Sequence, residues 1–488
     1  MFSWNSVKGQ RVISVIGHLA ILAIAIDLFS TVWSDGIQVM QAGSWTAPFG
    51  ITFVADTFSA TLVLLTAIAG LAVGVFSTVT VHTSREHYGY YPIFHLLLMG
   101  LFGAFLTGDL FNLYVWFEIM IIASFVLLTL GGDKSQLEGA MKYMTLNLLA
   151  STFFLTAVGI VYGLTGTLNM ADIAVKMKLI EHRGLVSVTA ILFFIGFGIK
   201  SAVFPLYSWL PASYHTPQTP ITAIFGGLMT KVGVYAIMRV FTLMFIQDEF
   251  TRNLIMVVAI ATMIAGGLGA LMKNNIRQIF GYLIVCHIGF MIGGLSMFSI
   301  VAYAGAVFYL IHDIIVKTNI FLIAGVIHKL KGSFDQRELG GIYQKYPYLS
   351  ILFILPLLSL VGIPPLSGFW PKINLLEAAF VEKHYLVGAA IIIGSFITLF
   401  VIARMWAEVF WKLPGKKPTK KHAMYFNKLT MNQKRLIILP IIFLTLVSLY
   451  IGFGAERIVQ VSETIANELM DPSPYINTVL NSLNEAKP

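Results

Sequence analysis

Cysteine is all but missing from this 488-residue chain: Cys286 stands alone, inside the apolar run FGYLIVCHIGFMI. An iron–sulfur cluster or a thiolate zinc site needs several thiolates. Neither can be assembled here, so any redox chemistry belongs to a partner. Charge is scarce too. Only 11% of residues are charged and 57% are hydrophobic, where a soluble domain carries about 25% charged residues. Apolar runs of twenty residues or more leave no surface for water, which makes the chain an all-α polytopic membrane protein. Walker A loops, glycine-rich dinucleotide fingerprints and zinc-protease motifs are missing, and no serine sits in a nucleophile elbow. ATP hydrolysis and covalent catalysis are therefore not expected, nor is a bound cofactor; a metal stays unassigned. The opening MFSWNSVKGQR lacks the short apolar core and cleavage site of a leader.

Thirteen spans follow from the apolar runs: 11–33, 54–82, 91–107, 109–131, 138–164, 185–209, 217–246, 252–271, 276–298, 301–327, 347–381, 384–411 and 434–454. The net charge of +9 suits nucleic acid as a partner less well than it suits membrane topology, because the bases sit in loops. On the side of the N-terminus are Lys8, Arg11, Arg85, Lys134, Lys273 and Arg277, four more in 328–346 and eight in 412–435, making 18. The other side holds 7: Lys176, Lys178, Arg183, Arg252, Lys383, Arg457 and Lys487. This bias predicts a cytoplasmic N-terminus and an outer C-terminus in a cell membrane. The GKKPTKKH run at 415–422 reads as a topology signal on the same rule. AERIVQVSETIANELM, with Ile458, Val461, Ile465 and Leu469 at helical spacing, reads as an amphipathic helix on the outer surface. The stretch 169–181 is a similar interfacial piece.

Two spans carry breaks. The sixth has Lys200, Pro205 and Pro211; the eleventh reads LVGIPPLSGFWPKINLLEAAF, with Pro364, Pro365, Gly368, Pro371 and Lys372. Proline removes a backbone donor and clashes with the preceding turn, and in lipid the freed groups need protein or water. The breaks share a loose Gly-Ile, then Phe-Pro or Trp-Pro, pattern with a lysine alongside. They lie five spans apart, an odd number, so equivalent segments run in opposite directions: an inverted repeat of spans three to seven and eight to twelve. The expected organisation is peripheral helices in 1–90, repeats in 91–246 and 252–411, and a basic loop, last span and outer tail in 412–488.

A charge near the bilayer centre costs several kcal/mol or more. Glu118, in DLFNLYVWFEIM, therefore needs a cation, and Lys200 and Lys231 are each isolated in an apolar run. His287, His312, Asp313, Lys317 and Lys372 also fall in spans or at breaks. Two readings stand for Glu118 and Lys200. They are an inert structural salt bridge, or part of a buried path in which lysines alternate between charged and neutral. Burial favours the neutral amine, and the surplus of lysines favours the path. Asp313 and Lys317 stand four apart, acid first, the favourable spacing for an intrahelical pair; that pair is either self-neutralising or a switchable link beside His312. A lone His287 on an apolar helix is a packed core residue or a relay. Asp27, Asp56, Arg404 and Glu408 read as capping, helix-end or subunit-contact residues.

At GDLFNLYVWFEIM, GIKSAVFPLYSWLPASYHTPQTP, the span with Lys231 and VGIPPLSGFWPKINLLEAAF, the chain resembles the proton-translocating family shared by antiporter-like subunits of respiratory complex I and Mrp-type sodium/proton antiporters. With a lysine at 372 and the HDIIVKTN segment, it looks most like the D-type subunits of the Mrp branch. The resemblance implies a five-plus-five inverted repeat and no resident cofactor, with protons and sodium as the transported ions. It also implies membrane-subunit partners and a proton path through Glu118, Lys200, Lys231, His287, His312, Lys317 and Lys372. A redox-driven complex I or membrane-hydrogenase subunit is the alternative it leaves. Two departures stand out. The family usually has fourteen helices, and the one before residue 11 is expected to be missing. The histidine usual four residues before the lysine matching Lys317 is Asp313 here.

Overall fold

The computed structural model describes residues 6–245, 249–413, 426 and 428–481; the 415–422 run and Lys487 lie outside them. The architecture is helical, as the apolar periodicity demands. Helix α1 (Val7–Asp35) leads into a short hairpin, β1 (Gln38–Gln41) antiparallel to β2 (Thr52–Ala55). Then come α2 (Thr57–Thr80), α3 (Tyr90–Leu106), α4 (Leu110–Thr129) and α5 (Lys134–Thr165). Next are α6 (Arg183–Ser201), α7 (Thr219–Leu243), α8 (Glu249–Leu271), α9 (Ile276–Ser296) and α10 (Ile300–Lys331). The eleventh crossing is split into α11 (Pro347–Val361) and α12 (Phe369–Val381). Helices α13 (Tyr385–Trp411), α14 (Met431–Phe453), α15 (Ala455–Met470) and α16 (Ser473–Asn481) complete the chain. Among the described residues eleven helices are long and apolar enough to cross a membrane, and Tyr90–Leu106 and Pro347–Val361 are shorter apolar helices. Together these are the thirteen apolar segments expected. The interfacial piece at 169–181 is a helix over Met170–Met177.

Helix starts are set by side chains that satisfy the orphan first-turn amides. Asp56 caps α2 in a capping box with Ser59, so this residue is a cap as its position predicted. Asp109 caps α4 by accepting from the Asn112 amide at 2.7 Å. Asn275 caps α9 through the amides of Arg277 and Gln278. Asp109 also forms a backbone bridge with Asn169, and Asn275 forms one with Asp335. Both partners are shifted by the same 166 residues, from Asp109 to Asn275 and from Asn169 to Asp335. The first bridge precedes the fourth crossing and the second the ninth, so they stand at opposite ends of the bundle.

Both proline breaks are present. After α6 the chain turns through Ala202 in the left-handed region (φ 63°) and resumes at a short helix, Trp209–Ser213. After α11 it turns through Gly362 (φ 88°) and resumes as α12. A left-handed turn costs a non-glycine residue roughly 1–2 kcal/mol, so Ala202 is held by its surroundings. At the centre lies α10, buried without interruption from Ala302 to Ile327. It packs against α2, α7, α9, α11, α12, α14 and α15. A helix apolar on all sides belongs inside a bundle, and its few polar residues consequently meet protein rather than lipid.

Candidate functional site

One group of charged residues of the spans meets on α10. Asp313, fully buried, pairs with Lys231 of α7, Nζ to Oδ2 at 2.8 Å, with neither side chain exposed. Its other oxygen faces His287 Nδ1 of α9 at a long 3.4 Å, and His287 Nε2 lies 3.3 Å from Thr398 Oγ1 on α13. Lys231 also donates to the Gly226 carbonyl at 2.8 Å. That carbonyl belongs to a π turn over Phe225–Met229, where i→i+5 bonding displaces carbonyls from the α ladder. Gly226 and Gly227 bring α7 close to α10: a Cβ on either would strike Phe321 or Thr318.

Two expectations are corrected here. The spacing of Asp313 and Lys317 predicted an intrahelical pair, but Asp313 turns to Lys231. Lys317 Nζ is buried with no hydrogen bond among the described residues. Glu118 was expected to pair with Lys200 or Lys231, and no ion pair among the described residues joins it to either. Glu118 is half-buried on α4, just over two turns in, with Oε1 buried and unbonded. Lys200 instead lies 3.3 Å from Ser151 Oγ, which accepts its hydrogen bond, and 4.7 Å from the centre of the Phe117 ring, next to Glu118 in sequence. A cavity of about 20 Å³ runs past Lys200, Asn147, Tyr143 and Tyr214 to Met229. A space of that size holds one water, and its lining includes both Lys200 and Met229, two residues before Lys231.

The second break holds Lys372. Lys372 Nζ donates to the carbonyl of Val361 at 2.6 Å and to that of Leu360 at 3.4 Å. These are orphan carbonyls at the C-terminus of α11, where a cation is favoured. The Phe290 ring, 5.7 Å from Lys372 Nζ, stacks with His287 at 5.5 Å. His312 Nδ1 meets Ser367 Oγ at 2.8 Å. Ser367 in turn lies 2.6 Å from Ser359 and 3.1 Å from Ser448, so hydroxyls from α11, the break and α14 gather beside His312. Sequence reasoning missed these serines and Ser151; single serines in apolar runs carry no local signal. Among the described residues no three His, Cys, Asp or Glu side chains group as a metal site.

A bundle of crossing helices with carboxylates, lysines and histidines locked in its interior defines a polytopic membrane subunit with an ionisable core, since such residues are retained in membranes chiefly for ion or proton movement. The chain belongs to the NADH:quinone oxidoreductase/Mrp antiporter family, whose transmembrane model matches residues 107–398, from before Glu118 to beyond Lys372. It is 42% identical to the D subunit of the Na(+)/H(+) antiporter of Alkalihalophilus pseudofirmus over 472 residues, covering 96% of this chain and 94% of that protein. It is 40% identical to the corresponding D subunit of the Na(+)/H(+) antiporter of Bacillus subtilis, covering 98% and 96%. Among solved structures it resembles a chain of the Mrp complex from Dietzia sp. DQ12-45-1b, with TM-score 0.88, 28% identity and coverage of 97% and 95%. A chain of the membrane-bound sulfane sulfur reductase, an archaeal respiratory membrane complex, follows with TM-score 0.86, 26% identity and coverage of 96% and 94%.

Proposed function

We propose that this chain is the proton-translocating D-type membrane subunit of a multi-subunit sodium/proton antiporter, in which proton influx drives sodium efflux. The observation that carries this is the buried Lys231–Asp313 pair beside Lys317 and His287, within a chain that two D-type antiporter relatives match over nearly their full length. In this reading it is a secondary-transporter component rather than an enzyme, holds no cofactor and works with other membrane subunits. Residues 91–246 and 252–411 act as inverted half-channels; the 166-residue recurrence of the capped bridges supports that division. Residues 1–90 supply the first two crossings, of which α1 lies at the periphery while α2 packs against α10 and not at the rim as expected, and 412–488 supply the basic loop, last span and outer tail.

The relay runs on electrostatics. When Glu118 closes on Lys200 the lysine keeps its proton. When they stand apart, Lys200 has only a hydroxyl and a ring face, and its proton moves through the single-water cavity towards Lys231. Asp313 then holds the charge on Lys231 while His287, Lys317 and His312 pass the proton to Lys372 at the second break. Glu118→Ala and Lys200→Ala are each expected to lower sodium-dependent proton exchange in membrane vesicles by roughly 100-fold, the range for losing a positioned proton-transfer group. Assembly of the complex should survive. Near-wild-type exchange in both variants means the two residues are structural.

A redox-driven reading remains because the family includes NADH:quinone oxidoreductase subunits and the chain resembles one from a respiratory complex. Copurification separates the two: iron–sulfur or flavin subunits support the redox reading, redox-free membrane subunits the antiporter. For topology, the 18 to 7 basic bias places Ser333 inside and Ser473 outside. Because the native Cys286 is buried, cysteines introduced at those positions should be the reactive thiols. Impermeant reagent is expected to label Ser333→Cys from the cytoplasm and Ser473→Cys from outside; the reverse pattern inverts the topology.

A further inference from the structure

A second charged cluster lies apart from the relay, at the end of the bundle opposite the N-terminus. Asp56 accepts from the Ser59 amide at 2.9 Å through Oδ1 and pairs with Arg239 Nη2 through Oδ2 at 2.5 Å. The two residues are 2% and 5% exposed. The rings of Tyr475, Tyr235 and Phe58 surround the guanidinium at 5.2, 5.5 and 5.7 Å. Into this cluster α15 inserts Glu468. Its Oε1 accepts the Thr57 hydroxyl at 2.6 Å, while Oε2 is buried with no hydrogen-bond partner among the described residues. The guanidinium is bonded to Asp56, and no ion pair among the described residues joins it to Glu468. A proton on Glu468 Oε2 would remove the repulsion from Asp56 and the cost of a buried bare charge.

The cluster is also connected to the relay. Lys231, Tyr235 and Arg239 fall at i, i+4 and i+8, one face of α7. They climb about 12 Å from the Lys231–Asp313 pair towards the surface. Resting on the ion-path reading above, we propose that Glu468 is the proton-binding residue at the outer end of this stripe, a transport-path group supplied by the C-terminal amphipathic helix. Asp56, Arg239 and Thr57 position it. The O–H bond formed at Oε2 is the only bond made, and it breaks when the proton moves on. This residue lies beyond the stretch that the family model covers.

The surroundings set the acidity. Burial and the Asp56 carboxylate push the Glu468 carboxyl up to about 7, against the pull of the Thr57 hydrogen bonds and Arg239. The titratable groups near it are Asp56 from α2, Tyr235 and Arg239 from α7 and Tyr475 from α16. The outer parts of α10 and α14, residues 300–311 and 440–453, contain no Asp, Glu, Lys or Arg, and their tyrosines are Tyr303, Tyr309 and Tyr450. Because the folded value is raised, the docked α15 is favoured in acid and loses that stabilisation as pH rises towards 7.

The test is sodium-dependent proton exchange by the complete complex in vesicles, measured over a pH series on both sides of 7 at the face bearing α15. Glu468→Gln is expected to lower exchange by at least about tenfold and to flatten its pH profile. Glu468→Asp should keep a titrating profile. Thr57→Val should move the profile to higher pH, because a donor to the ionised carboxylate is lost. An unchanged profile in Glu468→Gln overturns the proposal. Lys231→Ala in the same series tests the underlying relay: exchange surviving there refutes the relay, while loss there with a normal Glu468→Gln refutes only the role of Glu468. Infrared spectra of the purified complex provide a readout independent of transport. A protonated-carboxyl band that titrates near 7 in the wild type and is missing from Glu468→Gln supports the assignment. Identical spectra overturn it even if the variant assembles poorly.

Discussion

Asp313→Ala is expected to destabilise the complex and stop proton exchange together, whereas removing Lys231 as well restores only the fold. Asp313 is the counter-charge of a fully buried lysine at 2.8 Å and stands four residues before the equally buried Lys317. Removing one member of a buried pair leaves an uncompensated charge, which costs about 3–5 kcal/mol. Replacing both members by apolar side chains is frequently neutral or stabilising. The double variant Asp313→Leu/Lys231→Met should therefore unfold at a temperature near the wild type. It should still fail to move protons, because the lysine that takes the proton from Lys200 in the proposed relay is gone while Lys317 and His287 lose the carboxylate between them. Thermal unfolding of the purified complex and vesicle exchange measure the two effects separately. If the double variant recovered both stability and exchange, the pair would be a packing device and the relay would have to bypass it.

Lys372→Ala is expected to block proton movement, and Lys372→Arg to be nearly as damaging although it keeps the charge. The lysine ammonium sits against the Val361 and Leu360 carbonyls that the break leaves free. These carbonyls accept hydrogen bonds from a charged amine and place no carboxylate beside it. Arginine stays protonated in proteins. It would supply the fixed charge that the carbonyl ends favour and be unable to hand a proton on. A structural cation predicts the opposite, with arginine restoring most exchange. Loss of a proton-transfer group amounts to roughly 10²–10⁴-fold, so alanine and arginine variants at matched expression separate the cases. Wild-type exchange in Lys372→Arg removes Lys372 from the relay and leaves the Lys231–Asp313 step standing.

The length and placement of the crossings were legible from sequence because a lipid-spanning segment must satisfy its backbone internally, so an apolar run of sufficient length is a helix. The run 276–298 became Ile276–Ser296, and 252–271 became Glu249–Leu271. Prolines marked both breaks, since a missing donor has the same consequence wherever the chain goes. The isolated lysines and carboxylates were visible as candidates because their desolvation cost follows from their apolar surroundings alone. Their partners were not visible. Spacing along one helix favoured Asp313 with Lys317, but the glycine-mediated approach of α7 to α10 brought Lys231 nearer, and a close charge on a neighbouring helix prevailed over a local one. The serines beside His312 and the cluster of Asp56, Arg239 and Glu468 depend on the same kind of contact, with Asp56 and Arg239 183 residues apart and Thr57 and Glu468 411 apart. Sequence alone determined which residues would be stranded in the membrane, because burial is paid residue by residue; only the packing of helices decided which stranded charges meet, because that is fixed by distances no local pattern encodes.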